Sequence, residues 1–112
     1  MAQKPSKNVS VEYADNRLSL FAAQLGKCAI TGYEFEQLNE IACHHILPKS
    51  RGGADNYQNL VIVCRDVHRL IHATRQTTIQ KYLDLLNLGE KELKRVNKYR
   101  RRAGLVPVCL NN

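Results

Sequence analysis

The sequence predicts one α+β domain, and three features of its 112 residues lead to this fold class. Two short apolar segments, 40–47 and 59–64, have the length and composition of β-strands. Four other segments carry apolar residues at the spacing of amphipathic helices. Glycine and proline fall between several of these segments, where the chain has to turn. A strand, a loop, a strand and a helix, with helices on either side, form an α+β arrangement.

The N-terminal part of the chain is predicted to contain a tail and one helix. Residues 1–10 are expected to form a flexible tail, and residues 11–112 a single domain. The helix is predicted over 11–25. Its apolar residues recur at positions i, i+3, i+4 and i+7: Leu18, Phe21, Ala22 and Leu25. Gly26 is a suitable residue to end this helix.

The middle of the chain is predicted to form a turn, two strands and a helix. The segment CAITGYEF is expected to make a tight turn in which Gly32 takes a positive φ. Pro48, Gly52 and Gly53 end the first strand and open a loop. The continuous apolar run NLVIVC suits a buried second strand. The segment RDVHRLIHA, residues 65–73, then has helical spacing.

Two more helices are predicted towards the C-terminus. They span 76–88 and 90–103, with Gly89 between them and Gly104 as the cap of the second. The first has one apolar stripe, which consists of Ile79, Tyr82, Leu83 and Leu86. The second is rich in Lys and Arg, so residues 76–104 are interpreted as C-terminal basic helices.

Charge and cysteine content restrict the kinds of partner and compartment. The formal net charge of +7 suits a polyanionic partner such as nucleic acid, although solubility alone also accounts for such a charge. No apolar run approaches the length of a membrane span, and the first ten residues lack the apolar core of a secretory signal. The expected location is therefore the cytoplasm, where cysteines stay reduced.

All four histidines of the chain fall within 29 positions, and this clustering predicts a metal or catalytic site. His68 and His72 are four residues apart on a predicted helix, so their imidazoles lie on one face and can share a cation. Such a pair alone also occurs as two solvent-facing polar side chains. His44 and His45, side by side at the end of the first strand, add two imidazoles and favour the metal or catalytic interpretation.

The segment HHILPKSRGGADNYQNLVIVCRDVHRLIH resembles the motif of the HNH endonucleases, also called the ββα-metal fold. The matching positions are His44, His45, Asn59, His68 and, one helical turn later, His72. The resemblance implies a core of a two-stranded antiparallel hairpin plus a helix, with the motif at residues 43–73. The N-terminal helix and the two C-terminal helices would flank this core.

The resemblance also implies a role for each of these residues. His44, His68 and His72 would hold one divalent ion, which neutralises the scissile phosphate and stabilises the leaving 3′-oxygen. His45 is the candidate general base, because an unperturbed imidazole accepts a proton near neutral pH. Asn59 is the second candidate catalytic residue and would fix the loop and orient His45. The alternatives are that Asn59 binds the metal through its amide oxygen or is an ordinary turn residue.

These roles require two neighbouring strand residues to serve one site, although adjacent side chains point to opposite faces of a strand. A twist or bulge at the strand end is therefore expected. Gly52, Gly53 and Asp55 are expected to shape the loop that folds back over the site, the glycines through their backbone freedom and Asp55 as a local cap. They are interpreted as structural residues.

The identity of the metal is open. Three imidazoles suit zinc or nickel, whereas the resemblance implies magnesium or manganese as the working ion. Many HNH relatives also carry a zinc knuckle of two Cys pairs, but Thr31 and Val67 replace half of its ligands here. No structural zinc knuckle is therefore expected, and Cys28 and Cys64 are interpreted as small core residues. Cys43, an alternative ligand, is expected to point away from the site.

A basic surface is predicted beside the motif. Seven cationic residues lie on the last predicted helix: Lys91, Lys94, Arg95, Lys98, Arg100, Arg101 and Arg102. Lys49 and Arg51 lie on the loop after the histidine doublet. Lys and Arg contacts to phosphates give sequence-independent affinity. The residues expected to bind DNA are Lys49, Arg51, Lys94, Arg95, Lys98, Arg101 and Arg102. A solvated helix face is the alternative.

The sequences on both sides of the motif resemble one particular class of protein. Residues 12–32 and 73–105 resemble the C-terminal endonuclease domain of group II intron reverse transcriptases, or maturases. The resemblance implies a nuclease that nicks one DNA strand and makes the 3′-OH primer for reverse transcription. Its partners would be double-stranded DNA, intron RNA and a reverse transcriptase domain. The expected location is the bacterial cytoplasm, and no membrane partner is expected. A free-standing HNH nuclease and a non-catalytic, metal-stabilised nucleic-acid-binding module are the alternatives.

Overall fold

The structure, a computed structural model, describes residues 10–109 and contains a two-stranded sheet and four α-helices in that range. The elements are α1 (Val11–Ala23), β1 (Ile41–His45), β2 (Leu60–Cys64), α2 (Arg65–His72), α3 (Gln76–Leu86) and α4 (Glu90–Arg102). The predicted α+β class, a hairpin and helix with flanking helices, is confirmed. The predicted tail, residues 1–10, lies outside the described residues except for Ser10. The Ser10 hydroxyl accepts a hydrogen bond from the Tyr13 N–H and so caps α1.

The strand β2 is buried on both of its faces. Val61 and Val63 pack with apolar residues of α2, α3 and α4 in the larger core cluster. Leu60 and Ile62 face the other way and pack with Leu20 of α1. A strand covered on both faces needs no alternating polar residues, and this explains the continuous apolar run that predicted a buried strand.

The histidine doublet lies at the end of β1, where the pairing with β2 is regular. His44 is opposite Val61, and His45 is opposite Leu60. Directly opposed residues share a face, so His44 lies on the side of α2 and α4 and His45 on the side of α1. The expectation of a bulge is wrong, because β1 keeps its regular pairing with β2 up to His45. Cys43 lies on the face of His45 and points away from His44, as expected.

The helix α1 packs on the hairpin through other residues than those predicted. Leu18 and Leu25, two members of the predicted stripe, are 69% and 72% exposed, and Leu20 is the buried residue instead. The side-chain amide of Gln24 donates to the Ile62 carbonyl at 2.9 Å and accepts from the Ile62 N–H at 3.1 Å. The free edge of β2 needs these hydrogen-bond partners, so the polar Gln24 turns inward and Leu25 outward.

Arg100 of α4 is buried at the C-terminal end of α2, although its sequence context placed it in the basic surface. It is 1% exposed, and its guanidinium donates to the carbonyls of Leu70, Ala73 and Val106, each at 2.8 Å. The last carbonyls of a helix lack hydrogen-bond partners within the helix and carry a partial negative charge. A guanidinium at this position supplies both hydrogen-bond donors and a positive charge. Arg100 therefore does not contribute to the basic surface.

The connections after the hairpin agree with the sequence predictions. Gly32 and Gly104 take the positive φ expected of them, +77° and +83°. The helix α3 buries Ile79, Tyr82 and Leu83, three members of its predicted stripe. Within residues 10–109, no helix combines the length and the apolar character that a membrane crossing requires.

Candidate metal centre

Three of the four histidines converge between β1 and α2. The ring centroids of His44 and His68 are 5.2 Å apart, those of His44 and His72 5.1 Å, and those of His68 and His72 4.7 Å. One ring nitrogen from each residue lies within 4.8 Å of the other two. The helix supplies two rings through its i,i+4 spacing, and the hairpin supplies the third. The structure thus brings together the three residues predicted as metal ligands, which we call the histidine triad.

His44 is the buried member of the histidine triad. It is 1% exposed, and among the described residues neither of its ring nitrogens has a hydrogen-bond partner. Leaving a buried polar group unpaired costs about 1–3 kcal/mol, and an imidazole nitrogen is also a common metal ligand. The triad therefore fits a divalent ion, because coordination would use a nitrogen that is otherwise unpaired. His72 is exposed, so the triad opens to solvent on one side.

The pKa values of all three triad rings are lowered. The pKa of His44 is lowered to about 3 and that of His68 to about 4, in both cases mainly by burial and then by the neighbouring histidines. The pKa of His72 is also lowered, by burial and then by the charge of Arg100. Neutral imidazole is the form that binds a metal, so the triad is in its ligand form at neutral pH.

His45 lies on the other face of the hairpin and is paired with a carboxylate. Its Nε2 is 2.8 Å from Oδ1 of Asp55, and its ring stacks on Tyr13 with centroids 5.5 Å apart and planes 4° apart. An ionised carboxylate only accepts hydrogen bonds, so Nε2 carries a proton, and among the described residues Nδ1 has no hydrogen-bond partner. The His45 side chain is 21% exposed and thus reaches solvent.

Asp55 is anchored by α1 and by the loop as well as by His45. Its Oδ2 accepts hydrogen bonds from Ser10 Oγ at 2.8 Å and from Lys49 Nζ at 3.2 Å. The hydrogen bond with His45, and then the one from Ser10, lowers the pKa of Asp55 to about 2. Asp55 therefore does more than cap the loop, because it contacts the candidate base. The sequence does not predict this contact, or those of Ser10 and Tyr13, because no periodic pattern links residues that a folded loop brings together.

Asn59 closes the loop between the two strands. Its Oδ1 accepts from the Leu47 N–H at 2.8 Å, and its Nδ2 donates to the carbonyls of Leu47 at 3.0 Å and Ala54 at 2.9 Å. These contacts agree with the expectation that Asn59 fixes the loop, but its side chain bonds to Leu47 and Ala54 rather than to His45. Gly53 is required at the same place, because a Cβ there would overlap the Leu47 carbonyl oxygen.

The residues predicted to bind nucleic acid lie at the surface. The exposed cations are Lys94, Arg95, Lys98, Arg101 and Arg102 of α4 and Lys49 and Arg51 of the loop. The Arg51 guanidinium lies against Gly104, just after α4, so the loop and the helix contribute to one basic surface.

Part of this basic surface borders the histidine triad. The ring of Tyr99, on α4, is 5.5 Å from the ring of His44. Arg95 and Arg102 are one helical turn before and after Tyr99, so they lie on the same side of α4. Two exposed guanidinium groups thus flank the part of α4 that contacts the triad.

The segment that carries this geometry matches one protein family. Residues 27–74 match the HNH endonuclease family. The match runs from the turn before β1 to the end of α2 and therefore includes the triad, His45, Asp55 and Asn59. The chain has no match among curated proteins or solved structures.

The HNH match supports nuclease activity in general. It covers the hairpin and α2 but leaves α1, α3 and α4 outside the matched residues. The histidine triad at the HNH motif also fits the divalent metal that this family typically binds. The resemblance of the flanking segments to group II intron proteins finds no support in these comparisons.

Proposed function

We propose that this protein is a metal-dependent DNA endonuclease that hydrolyses one phosphodiester bond and so nicks one strand. The proposal rests on the end of β1, where the histidine triad lies on one face and the His45–Asp55 pair on the other. Phosphodiester hydrolysis needs charge neutralisation at the phosphate and an activated water. Because His44 and His45 are consecutive at the end of β1, a phosphate bound there would have the ion on one side and the base on the other.

The histidine triad would hold the divalent ion. When bound, the ion neutralises the scissile phosphate and stabilises the leaving 3′-oxygen. Imidazole nitrogens bind zinc or nickel more strongly than magnesium or manganese. Phosphate and water oxygens, in contrast, suit magnesium or manganese. Because His72 is exposed, the triad is open on one side, as in catalytic rather than structural metal sites.

His45 would act as the general base through Nδ1. Asp55 fixes the ring by accepting the hydrogen bond from Nε2, and Tyr13 restricts its rotation by stacking. When the ring takes a proton from the attacking water, the Asp55 carboxylate stabilises the imidazolium that forms. Asp55 is therefore a positioning residue for His45. Asn59 is a second positioning residue, since it acts through the loop that it closes.

Double-stranded DNA would bind along the exposed cations of α4 and the loop. The net charge of +7 and the side chains beside the triad favour contacts to the phosphate backbone. Such contacts release counterions, so we expect affinity to fall steeply as salt concentration rises.

The cellular setting we propose is a group II intron particle, which rests on the resemblance of residues 12–32 and 73–105. There the nick would leave a 3′-OH that a reverse transcriptase domain extends, with intron RNA as a further partner. Extension of the nicked strand by a polymerase, without prior end repair, tests this role. A product that ends in a 3′-phosphate would exclude it. Co-purification with intron RNA would separate this setting from that of a free-standing HNH nuclease.

Supercoiled plasmid tests the nuclease proposal itself. We expect the purified protein to convert it to the open-circular form with magnesium, manganese, nickel or zinc, and EDTA to stop the reaction. His68→Ala should lose metal-dependent cleavage, whereas Arg69→Ala, its exposed neighbour, should retain it. Binding of DNA and metal without cleavage under any of the four ions would instead support a non-catalytic, metal-stabilised binding module.

A further inference from the structure

Two cysteines meet at a site that the proposed nuclease does not use. Cys28 lies in the turn before β1, and Cys64 is the last residue of β2. The Cys28 sulfur is 3.3 Å from the Cys64 backbone nitrogen, and the two thiol groups are hydrogen-bonded to each other. Both cysteines are free thiols in this structure.

The surroundings of Cys28 favour its thiolate form. Its sulfur accepts backbone N–H hydrogen bonds from Ile30 and Thr31, both at 3.4 Å, and from Cys64. The hydrogen bond from the Cys64 thiol, more than these N–H groups, lowers the pKa of Cys28 to about 5 although burial opposes the shift. The pKa of Cys64 is raised, mainly by the same hydrogen bond. Of the two sulfurs, Cys28 is therefore the one whose surroundings favour the thiolate.

Small molecules can reach this pair. The Cys28 side chain is nearly enclosed and that of Cys64 is half-buried, but both line a cavity of about 430 Å³. The cavity is also lined by Thr31, Arg65 and Leu86. Its volume admits a hydroperoxide, and Arg65 adds a cation at its wall.

We propose that Cys28 and Cys64 form an oxidation site that a small hydroperoxide converts to an intramolecular disulfide. A reactive cysteine with a resolving thiol in contact and an open cavity beside both is the arrangement that thiol oxidation requires. This inference is independent of the proposed nuclease, because neither thiol belongs to the triad or to the His45–Asp55 pair.

The reaction has two balanced steps. The Cys28 thiolate attacks one peroxide oxygen, so a sulfur–oxygen bond forms, the oxygen–oxygen bond breaks and hydroxide leaves. The Cys64 sulfur then attacks the Cys28 sulfur of the sulfenic acid, so the sulfur–sulfur bond forms, the sulfur–oxygen bond breaks and the oxygen leaves as water with the Cys64 thiol proton, while the hydroxide from the first step takes up a proton from solvent. Two thiols lose two electrons in total, and hydrogen peroxide is reduced to two waters.

The experiment uses the Cys109→Ser chain, which removes the exposed cysteine and with it most intermolecular crosslinking. One equivalent of hydrogen peroxide at pH 7 should give a monomer that has lost two hydrogens. Peptide mapping should show the Cys28–Cys64 bond, and dithiothreitol should reverse it. The additional Cys43→Ser substitution should change nothing, whereas Cys64→Ser should stop at a sulfenic acid on Cys28 that dimedone traps. Retention of both thiols, or a disulfide that involves Cys43, would overturn the proposal.

A second measurement needs no substitution at either cysteine of the pair. In the same Cys109→Ser chain, alkylation of Cys28 by iodoacetamide should be nearly independent of pH between about 6.5 and 8.5, because its thiolate is already formed. Burial raises the pKa of Cys43, so its alkylation should increase about tenfold per pH unit over that range. Parallel pH profiles for the two cysteines would contradict the thiolate at Cys28.

Discussion

Replacing Asp55 with asparagine should slow cleavage strongly while leaving metal binding intact. The substitution keeps the shape of the side chain but removes the charge 2.8 Å from the His45 ring. A hydrogen bond to a charged group contributes about 1.5–3 kcal/mol, and this one strengthens as the imidazolium forms. At 1.36 kcal/mol for each factor of ten, the predicted loss of kcat is about 10- to 150-fold. An asparagine that turns its NH₂ towards His45 would also impose the wrong tautomer and deepen the loss.

Single-turnover nicking of a labelled duplex measures this effect directly. Asp55 is buried, so KM for DNA should change little, and calorimetric titration should give the wild-type metal affinity. Ser10→Ala is the matched control: it removes one hydrogen bond to Asp55 but keeps the bond to His45, and a loss below about tenfold is expected. Cleavage by Asp55→Asn at the wild-type rate would refute the positioning role of Asp55. An equal loss of metal binding would show that the substitution acts on the triad instead.

Three further predictions concern the metal, the fold and the loop. Zinc at 100 times its Kd should stabilise the wild type by about 2.7 kcal/mol, seen as a higher Tm, and leave the Tm of His44→Ala unchanged. Arg100→Met should destabilise the fold by about 3 kcal/mol in urea unfolding, because buried carbonyls lose their donor, whereas Arg101→Met should stay within about 0.5 kcal/mol. Gly53→Ala should cost about 3 kcal/mol through overlap with a backbone carbonyl, and Gly52→Ala about 1–2 kcal/mol through its φ of +96° alone. Equal effects within either pair of variants would contradict the contacts described.

The sequence was sufficient for the elements in which local pattern and tertiary environment agree. The apolar run of β2 predicts a strand covered on both faces, and α2 and α3 bury the stripes that their spacing predicts. The i,i+4 spacing of His68 and His72 fixes their common face before any tertiary contact is known. The third ligand, His44, follows from the order of the HNH motif and from the regular hairpin.

The remaining features depend on contacts that no local pattern encodes. The inward turn of Gln24 is set by the free edge of β2, and the burial of Arg100 by the carbonyls at the end of α2. Both residues are polar, so hydrophobic periodicity does not mark either of them as buried. Asp55 reaches His45 only because Asn59 and Gly53 fold the loop back across ten residues. Long-range hydrogen bonds, rather than hydrophobic periodicity, decide these three positions.

The most direct test of the central claim compares wild type with His45→Ala in single-turnover nicking at saturating metal and DNA. Loss of a general base lowers the rate by about 100- to 10,000-fold, and the variant should bind metal and DNA like the wild type because His45 lies outside the triad. Because the triad and His45 lie on opposite faces of the hairpin, we expect the variant to lose cleavage while it keeps metal and DNA binding. Cleavage by His45→Ala at the wild-type rate would show that His45 is not the base, and the account of the site would be wrong.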